Sequence, residues 1–328
     1  MDRVAANISQ DDAGQFRRRL LGWYQRHKRQ LPWRGESDPY RILVSEIMLQ
    51  QTRVAVVEDR YRKFLAQFPS AERLARAKEA TVLAAWSGLG YYRRARNLQA
   101  AAKEITREGK FRRTAEALRE LPGIGRYTAA AVASIAFGEP VAVVDGNVKR
   151  VLQRVFACHG SSAGPMAEAH YWEIAGRLLD SRRPGDFNQA MMELGAMVCL
   201  PSQPLCHSCP VSGLCAARGP LEKTERQTRR KATLHYALIR KNGSIRLQQR
   251  AKEHSLMPGM WELPELESVE SNASPLLRLR HSITTTDYTV FVHAAEKAST
   301  GRWVPLRSVG RLPLTGLTNK IIRSLRNA

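Results

Sequence analysis

Apolar side chains recur three and four residues apart through the first two-thirds of the chain. Phe16, Leu20, Trp23 and Tyr24 make one stripe, and Val54, Val57, Tyr61, Phe64, Leu65 and Phe68 make another; this spacing puts one apolar face on each of two helices. Capping residues predict helix starts at Asp38-Pro39, Ser70 and Thr114, and strand-like alternation is hard to find in this part. Residues 219–233, GPLEKTERQTRRKAT, are polar, charged and aperiodic, which predicts a linker. After them, LHYALIRKNGSIRLQQR alternates apolar residues around Lys241-Asn242-Gly243, a hairpin signal because Asn-Gly accepts left-handed backbone. The pattern predicts a helical domain over 1–218, a linker over 219–233 and a strand-containing domain over 234–328.

Composition narrows the class. With 328 residues, 43% of them hydrophobic and 25% charged, there is material for two domains with real cores. The longest uncharged small-apolar run, Tyr127 to Gly138, falls short of the ~18 residues a membrane span needs. The opening residues, MDRVAANISQDDAG, show no apolar core of a secretory or transit signal, so a cytoplasmic location of bacterial, nucleoid-associated type is expected. Charge is the first strong departure from the ordinary. The chain carries +22, with 19 basic against 9 acidic residues in 221–328 and the remaining excess before them. Basic character in both parts suits a polyanionic partner spanning both, and no basic amphipathic helix with a wide apolar face argues for a membrane.

Four of the five cysteines fall in one segment, Cys199-x6-Cys206-x2-Cys209-x5-Cys215, with Pro201, Pro204 and Pro210 interleaved. Disulfides are disfavoured in a cytoplasmic helical enzyme, so four close thiols imply a metal centre. Either a [4Fe-4S] cluster or a tetrahedral zinc satisfies four cysteines; with only one tight pair, the spacing favours the cluster over 199–215. Cys158 stands apart, as a buried bystander.

Leu121-Pro122-Gly123-Ile124-Gly125-Arg126-Tyr127-Thr128 lies between the helix starting at Thr114 and an apolar helical run. Gly123 and Gly125 permit a tight turn whose bare N–H groups suit a phosphate; an ordinary helix corner is the plainer reading. Two carboxylates stand out. Glu46 sits in YRILVSEIML, apolar on nearly every side, where burial would raise its pKa and fit it for general-acid work. Asp145, in AVVDGNV, precedes a helical run, so it serves as an N-cap and equally as an electrostatic stabiliser of a cationic sugar.

Together, Pro32-Trp33-Arg34, Ser45-Glu46-Ile47-Met48-Leu49-Gln50-Gln51-Thr52, Gly88-Leu89-Gly90-Tyr91-Tyr92, the glycine hairpin with Tyr127, Val144-Asp145-Gly146-Asn147 and the cysteine loop resemble the adenine DNA glycosylases of the endonuclease III superfamily. The resemblance covers about residues 15–216. It implies a mainly α, two-lobed helix-hairpin-helix glycosylase fold with an iron-sulfur loop, plus a C-terminal α+β Nudix-like domain that reads the opposite base. It implies a monofunctional enzyme that hydrolyses the N-glycosidic bond of adenine mispaired with 8-oxoguanine or guanine, a monomer on double-stranded DNA with one [4Fe-4S] cluster held by Cys199, Cys206, Cys209 and Cys215. Glu46 matches the acid that protonates N7 of the flipped adenine and later activates water. Asp145 matches the carboxylate that stabilises the sugar cation, with Tyr127 and Asn147 as helpers. Arg34, Leu49 and Gln189 match positions lining the adenine pocket. Gln51, Leu89 and Tyr91 match residues that wedge into the stack and touch the opposite base; Thr52, Gly123 and Gly125 belong with the DNA contacts. Strand-cleaving relatives carry Lys where this chain has Tyr127, so no lyase step is expected.

The C-terminal part departs from the pattern. Pro258-Gly259-Met260-Trp261-Glu262-Leu263-Pro264 matches the start of the Nudix-like region, but Glu262, Glu265, Glu267 and Glu270 lack the paired arrangement that holds Mg2+, so no pyrophosphatase is expected. Where the family has a Phe-Ser-His tip, this chain reads Arg280-His281-Ser282-Ile283-Thr284-Thr285, leaving His281 and Ser282 as expected DNA contacts. Two other readings follow the same motifs. A thymine mismatch glycosylase shares Tyr127 and the cysteines but lacks an equivalent of Glu46; a noncatalytic DNA-binding module would need neither Glu46 nor Asp145.

Overall fold

The computed structural model describes residues 8–156, 165–220, 229–251, 253–254, 256–266, 274–283, 285–296 and 300–325. Among them the chain forms helices up to residue 197 and all its strands after residue 229. α1 (Gln10–His27) starts where the Ser9 side chain accepts the Asp12 N–H, and it buries Phe16, Leu20, Trp23 and Tyr24 on one face. α2 (Pro39–Leu49) starts at Asp38, whose carboxylate accepts the Tyr40 and Arg41 N–H groups; Pro39 stands at the first turn, where a missing N–H costs nothing. α3 (Val54–Gln67) buries Val57, Tyr61 and Phe64. α4 (Ala71–Ala75), α5 (Glu79–Ala85), α6 (Arg93–Glu108) and α7 (Ala115–Leu118) follow, the last capped by Thr114. α8 (Arg126–Phe137), α9 (Gly146–Val155), α10 (Pro165–Leu178) and α11 (Pro184–Met197) complete the helical part. No helix among the described residues is long and apolar enough to cross a membrane.

Contacts divide the chain into two compact units. Unit 1 holds Met1–Glu72 and Ala100–Thr224; unit 2 holds Arg73–Gln99 and Glu225–Ala328. Unit 1 is built on a core in which Phe16 and Leu20 of α1, Val151 and Leu152 of α9, Ile174 of α10, and Phe187 and Leu194 of α11 are almost fully buried, each stabilising the fold by about 1.5–3 kcal/mol.

Unit 2 contains β1 (Arg230–Leu238), β2 (Arg240–Lys241), β3 (Ser244–Gln249), β4 (Trp261–Glu262), β5 (Leu277–Ile283), β6 (Thr286–Ala294), β7 (Arg302–Pro305) and α12 (Gly316–Ser324). One sheet runs β1-β6-β5, with β1 parallel and β5 antiparallel to β6; the other is centred on β3, which pairs with β2, β4 and β7. The β2–β3 turn is the expected Asn242-Gly243 pair, both with positive φ (48° and 68°), the geometry that matches strand twist. Leu247 of β3, Val290 and Val292 of β6 and Ile321 of α12 share its core.

The sequence pattern predicts a single helical domain over 1–218, whereas residues 73–99 pack with the C-terminal part. Polar contacts across long sequence separations account for this. The Tyr92 hydroxyl donates to the Leu314 carbonyl (2.9 Å), Arg96 to the Pro258 carbonyl (2.7 Å), and Asn319 to the Ser87 hydroxyl. Of the expected linker, residues 230–233 already belong to β1, paired with β6, and residues 221–228 lie outside the described residues, as do Cys158, Glu267, Glu270 and Thr284.

Candidate functional site

A cavity of about 500 Å3 opens in unit 1, and Glu46, Tyr127, Asp145, Asn147, Arg34 and Leu49 line it together. Gln51 and Thr52 stand at the same cavity, Gln51 with a left-handed backbone (φ 53°). Glu46 projects from α2, seven residues after its capped start, and is 5% exposed. Tyr127, in the first turn of α8 after the Gly123 and Gly125 hairpin, donates its hydroxyl to Glu46 Oε2 at 2.9 Å and lies against Met192 Sδ. Gly123 has φ 74°, which the turn requires, and Gly125 is the N-cap of α8.

Burial pushes the Glu46 carboxyl above the usual carboxylate range; the Tyr127 hydrogen bond and the Arg34 charge pull against it, and Asp145 adds to the rise. Burial also raises the Tyr127 phenol well above its ordinary value, with Glu46 reinforcing it. Tyr127 therefore stays protonated and acts as a donor. Asp145 is held by hydrogen bonds at a helix end. As the N-cap of α9 it accepts the Val148 N–H at 2.7 Å and the Asn147 side-chain amide at 2.9 Å, at the positive end of the helix dipole.

Arg34 donates to Gln189 Oε1 and, at 2.7 Å, to Glu193 Oε2, while its Nε is buried with no acceptor among the described residues. Gln189 is nearly buried and also donates to the Gly185 carbonyl. Sequence reasoning missed Glu193. It is fully buried on α11 and takes Arg29 through the backbone N–H, Nε and a terminal nitrogen (2.8–3.0 Å) as well as Arg34. Its signal was an acid inside the apolar stretch Ala190-Met191-Met192-Glu193-Leu194-Gly195-Ala196-Met197.

α9 also reaches the cysteine loop. Arg150 joins the Asn147 amide oxygen (2.8 Å) to the carbonyls of Gly195 and Cys199. Arg154, 1% exposed, donates to Cys199 Sγ (3.2 Å) and to the Leu200 and Pro201 carbonyls. Cys199, Cys206, Cys209 and Cys215 are free thiols lining one small gap. Among the described residues no three His, Cys, Asp or Glu side chains converge on a single ion. Burial raises the thiols of Cys209, to about 11, and Cys215.

The close approach of α11 to this helix leaves no room for a side chain at Gly195. A Cβ there would stand 2.6 Å from Asn147 Cβ and 3.0 Å from its Cα. Gly195→Ala therefore displaces the start of α9, and we expect it to cost about 1–3 kcal/mol in urea unfolding and to reduce turnover by shifting Asp145. A variant with unchanged midpoint and rate would show that α9 relaxes freely.

The remaining expected residues lie in unit 2. Leu89 is buried (4% exposed), and Tyr91 is half exposed (52%) with φ 46°. His281 and Ser282 belong to β5; the Ser282 hydroxyl donates to Asp287 at 2.6 Å, where Arg229 also binds.

A family model, that of the HhH-GPD superfamily base excision DNA repair proteins, matches residues 44–177, a span containing Glu46, Tyr127 and Asp145. The chain is 50% identical over 217 residues to the adenine DNA glycosylase of Rattus norvegicus, covering 63% of this chain and 42% of that protein. It thus spans about two-fifths of the length of that curated relative. A thermostable thymine-DNA glycosylase structure superposes with a TM-score of 0.59 at 32% identity, covering 64% of this chain and 98% of the other. An endonuclease III–DNA complex superposes at 0.53 with 22% identity over 64% and 96%, a likeness of fold. With the helical N-terminal part and the glycine hairpin in place, the chain belongs to the HhH-GPD superfamily of base excision DNA repair proteins.

Proposed function

We propose that the protein is a monofunctional adenine DNA glycosylase acting on adenine opposite 8-oxoguanine or guanine in double-stranded DNA. One observation carries this reading: a buried carboxyl with a raised pKa, Glu46, shares a cavity with a helix-capping carboxylate, Asp145. Glu46 gives its proton to N7 of an extrahelical adenine, the C1′–N9 bond breaks with its electron pair going to the base, and the sugar is left as an oxocarbenium ion. Asp145 opposes that positive charge. Water then adds at C1′ and gives one of its own protons to the Glu46 carboxylate, while adenine leaves with the proton it received. The Tyr127 hydroxyl orients Glu46, and Arg34 forms part of the wall of the pocket that receives the base. Of the two other residues expected at the pocket, Leu49 lines the cavity, whereas Gln189 lies behind it and holds Arg34.

Excision assays on duplexes carrying A:8-oxoguanine, A:G and T:G test the reading. Adenine release from the first two with none of thymine supports it; thymine release alone would favour the thymine glycosylase that the 0.59 superposition also suggests. With Tyr127 in the hairpin, borohydride should trap no amine-linked adduct.

We read the four cysteines as the ligands of a [4Fe-4S] cluster; in support, all are free, all line one gap, and Arg154 points a cation at Cys199 Sγ. A cluster would supply the positive charge that lets buried thiols bind as thiolates, and would cross-link loop 199–215 on itself. Purified protein should be brown with about four irons per chain; a colourless, active preparation with one zinc would overturn this. The C-terminal region is read as Nudix-like without hydrolase chemistry, since Glu262 is paired with Arg250 at 2.7 Å. We read the active form as a cytoplasmic monomer.

A further inference from the structure

A second cavity, of about 570 Å3, lies within unit 2, in the size range of small-ligand sites. The turn around Tyr91, the Leu256-Met257 loop, His281 of β5 and the Asn319, Lys320, Arg323 face of α12 contribute its walls. No lining residue is acidic. Lys320 and Arg323 are exposed and three residues apart on one helix face. The Lys320 ammonium spends one N–H on the Arg280 carbonyl (2.7 Å), which fixes its position beside β5.

The opposite wall is apolar and strained. Tyr91 and Met257 both hold left-handed backbone, φ 46° and 51°, a conformation that costs non-glycine residues energy and gathers at ligand-facing positions. Tyr91 is 52% exposed and Leu256 41%. Behind the turn, Arg94 stacks 5.3 Å from the Tyr91 ring centre and donates to the Leu89 and Gly90 carbonyls, so the strained turn is braced. His281, pushed down by burial and by Lys320, is a neutral imidazole with one donor and one acceptor. A flat face, a neutral hydrogen-bonding edge and two adjacent cations match the three parts of a nucleotide.

We propose that Lys320 and Arg323 of α12 grip a backbone phosphate of the 8-oxoguanine strand, placing the lesion nucleotide against Tyr91 and His281 and supplying discrimination that the altered β5–β6 tip lacks. This rests on the A:8-oxoguanine reading above. DNA is the occupant that charge favours, because the chain carries +22 and the cavity has no acid.

The test uses the full chain with Asp145→Asn to stop turnover, adding Lys320→Gln and Arg323→Gln together. Binding to an A:8-oxoguanine duplex and to an undamaged duplex is followed by fluorescence anisotropy across salt concentrations. We expect affinity for the lesion duplex to fall about tenfold, its preference over undamaged DNA to fall at least threefold, and the salt slope to drop by about 1, the worth of one phosphate contact. The charge-preserving pair Lys320→Arg and Arg323→Lys should keep both, which separates lost charge from misfolding. Unchanged affinity, or equal loss on both duplexes, overturns the proposal. So does micromolar binding of 8-oxo-dGMP alone that competes with the duplex, which would make the site one for a free nucleotide. If the Asp145→Asn parent itself shows no lesion preference, the A:8-oxoguanine reading fails instead, before α12 is tested.

Discussion

Glu46→Gln lowers the single-turnover rate of adenine release by about 10² to 10⁴, the usual worth of general acid catalysis, while mismatch binding stays within about tenfold. Gln preserves the shape and the Tyr127 contact but has no proton to give, so adenine would have to leave as an anion. The pH profile should change with it. In the parent chain the rate falls as pH rises through the elevated Glu46 pKa and the acid empties; the variant should lose that limb. A variant that keeps half its rate excludes Glu46 as the acid.

Glu193→Gln destabilises the fold by about 3 kcal/mol, because removing one partner leaves the buried Arg34 cation uncompensated and strips the partly exposed Arg29 of its counter-charge. Urea unfolding at pH 7 measures this, and coincident midpoints would refute it. Burial alone would raise the Glu193 carboxyl, but the Arg29 hydrogen bonds and the Arg34 charge outweigh it and hold it at about 2. Its contribution is complete above the unfolded value of ~4.3 and is lost as pH falls toward 2. The gap between parent and variant should narrow across that window and be flat above pH 5.

Local signals carried far in this chain. Asp38-Pro39 opened α2 as expected, Asp145 capped α9, and Asn242-Gly243 turned the β2–β3 hairpin, since each depends on residues within one turn. The burial of Glu46 is readable because its neighbours on nearly every side of the helix are apolar. What spacing did not report was pairing at long range. Nothing near Glu193 announces Arg29 and Arg34, some 160 residues earlier, and the parallel register of β1 on β6 is set across more than 50 residues. The motif Gly88-Leu89-Gly90-Tyr91 reads as one unit in the sequence, but the buried Leu89 and the exposed Tyr91 part company through a left-handed backbone that spacing does not report.

The walled-off carboxyl of Glu46 also bears on how firmly the protein folds. A group whose folded pKa lies above its unfolded value favours folding most below the unfolded pKa, and that advantage disappears as pH rises through the folded one. At neutral pH the chain therefore folds around an acid that would be better solvated in the unfolded state. The inactive Glu46→Gln protein should melt at a higher temperature than the active one at pH 8, and the difference should shrink toward pH 5. Stability and reactivity at this position are set against each other, so mutations that strengthen the fold here are the ones that silence it.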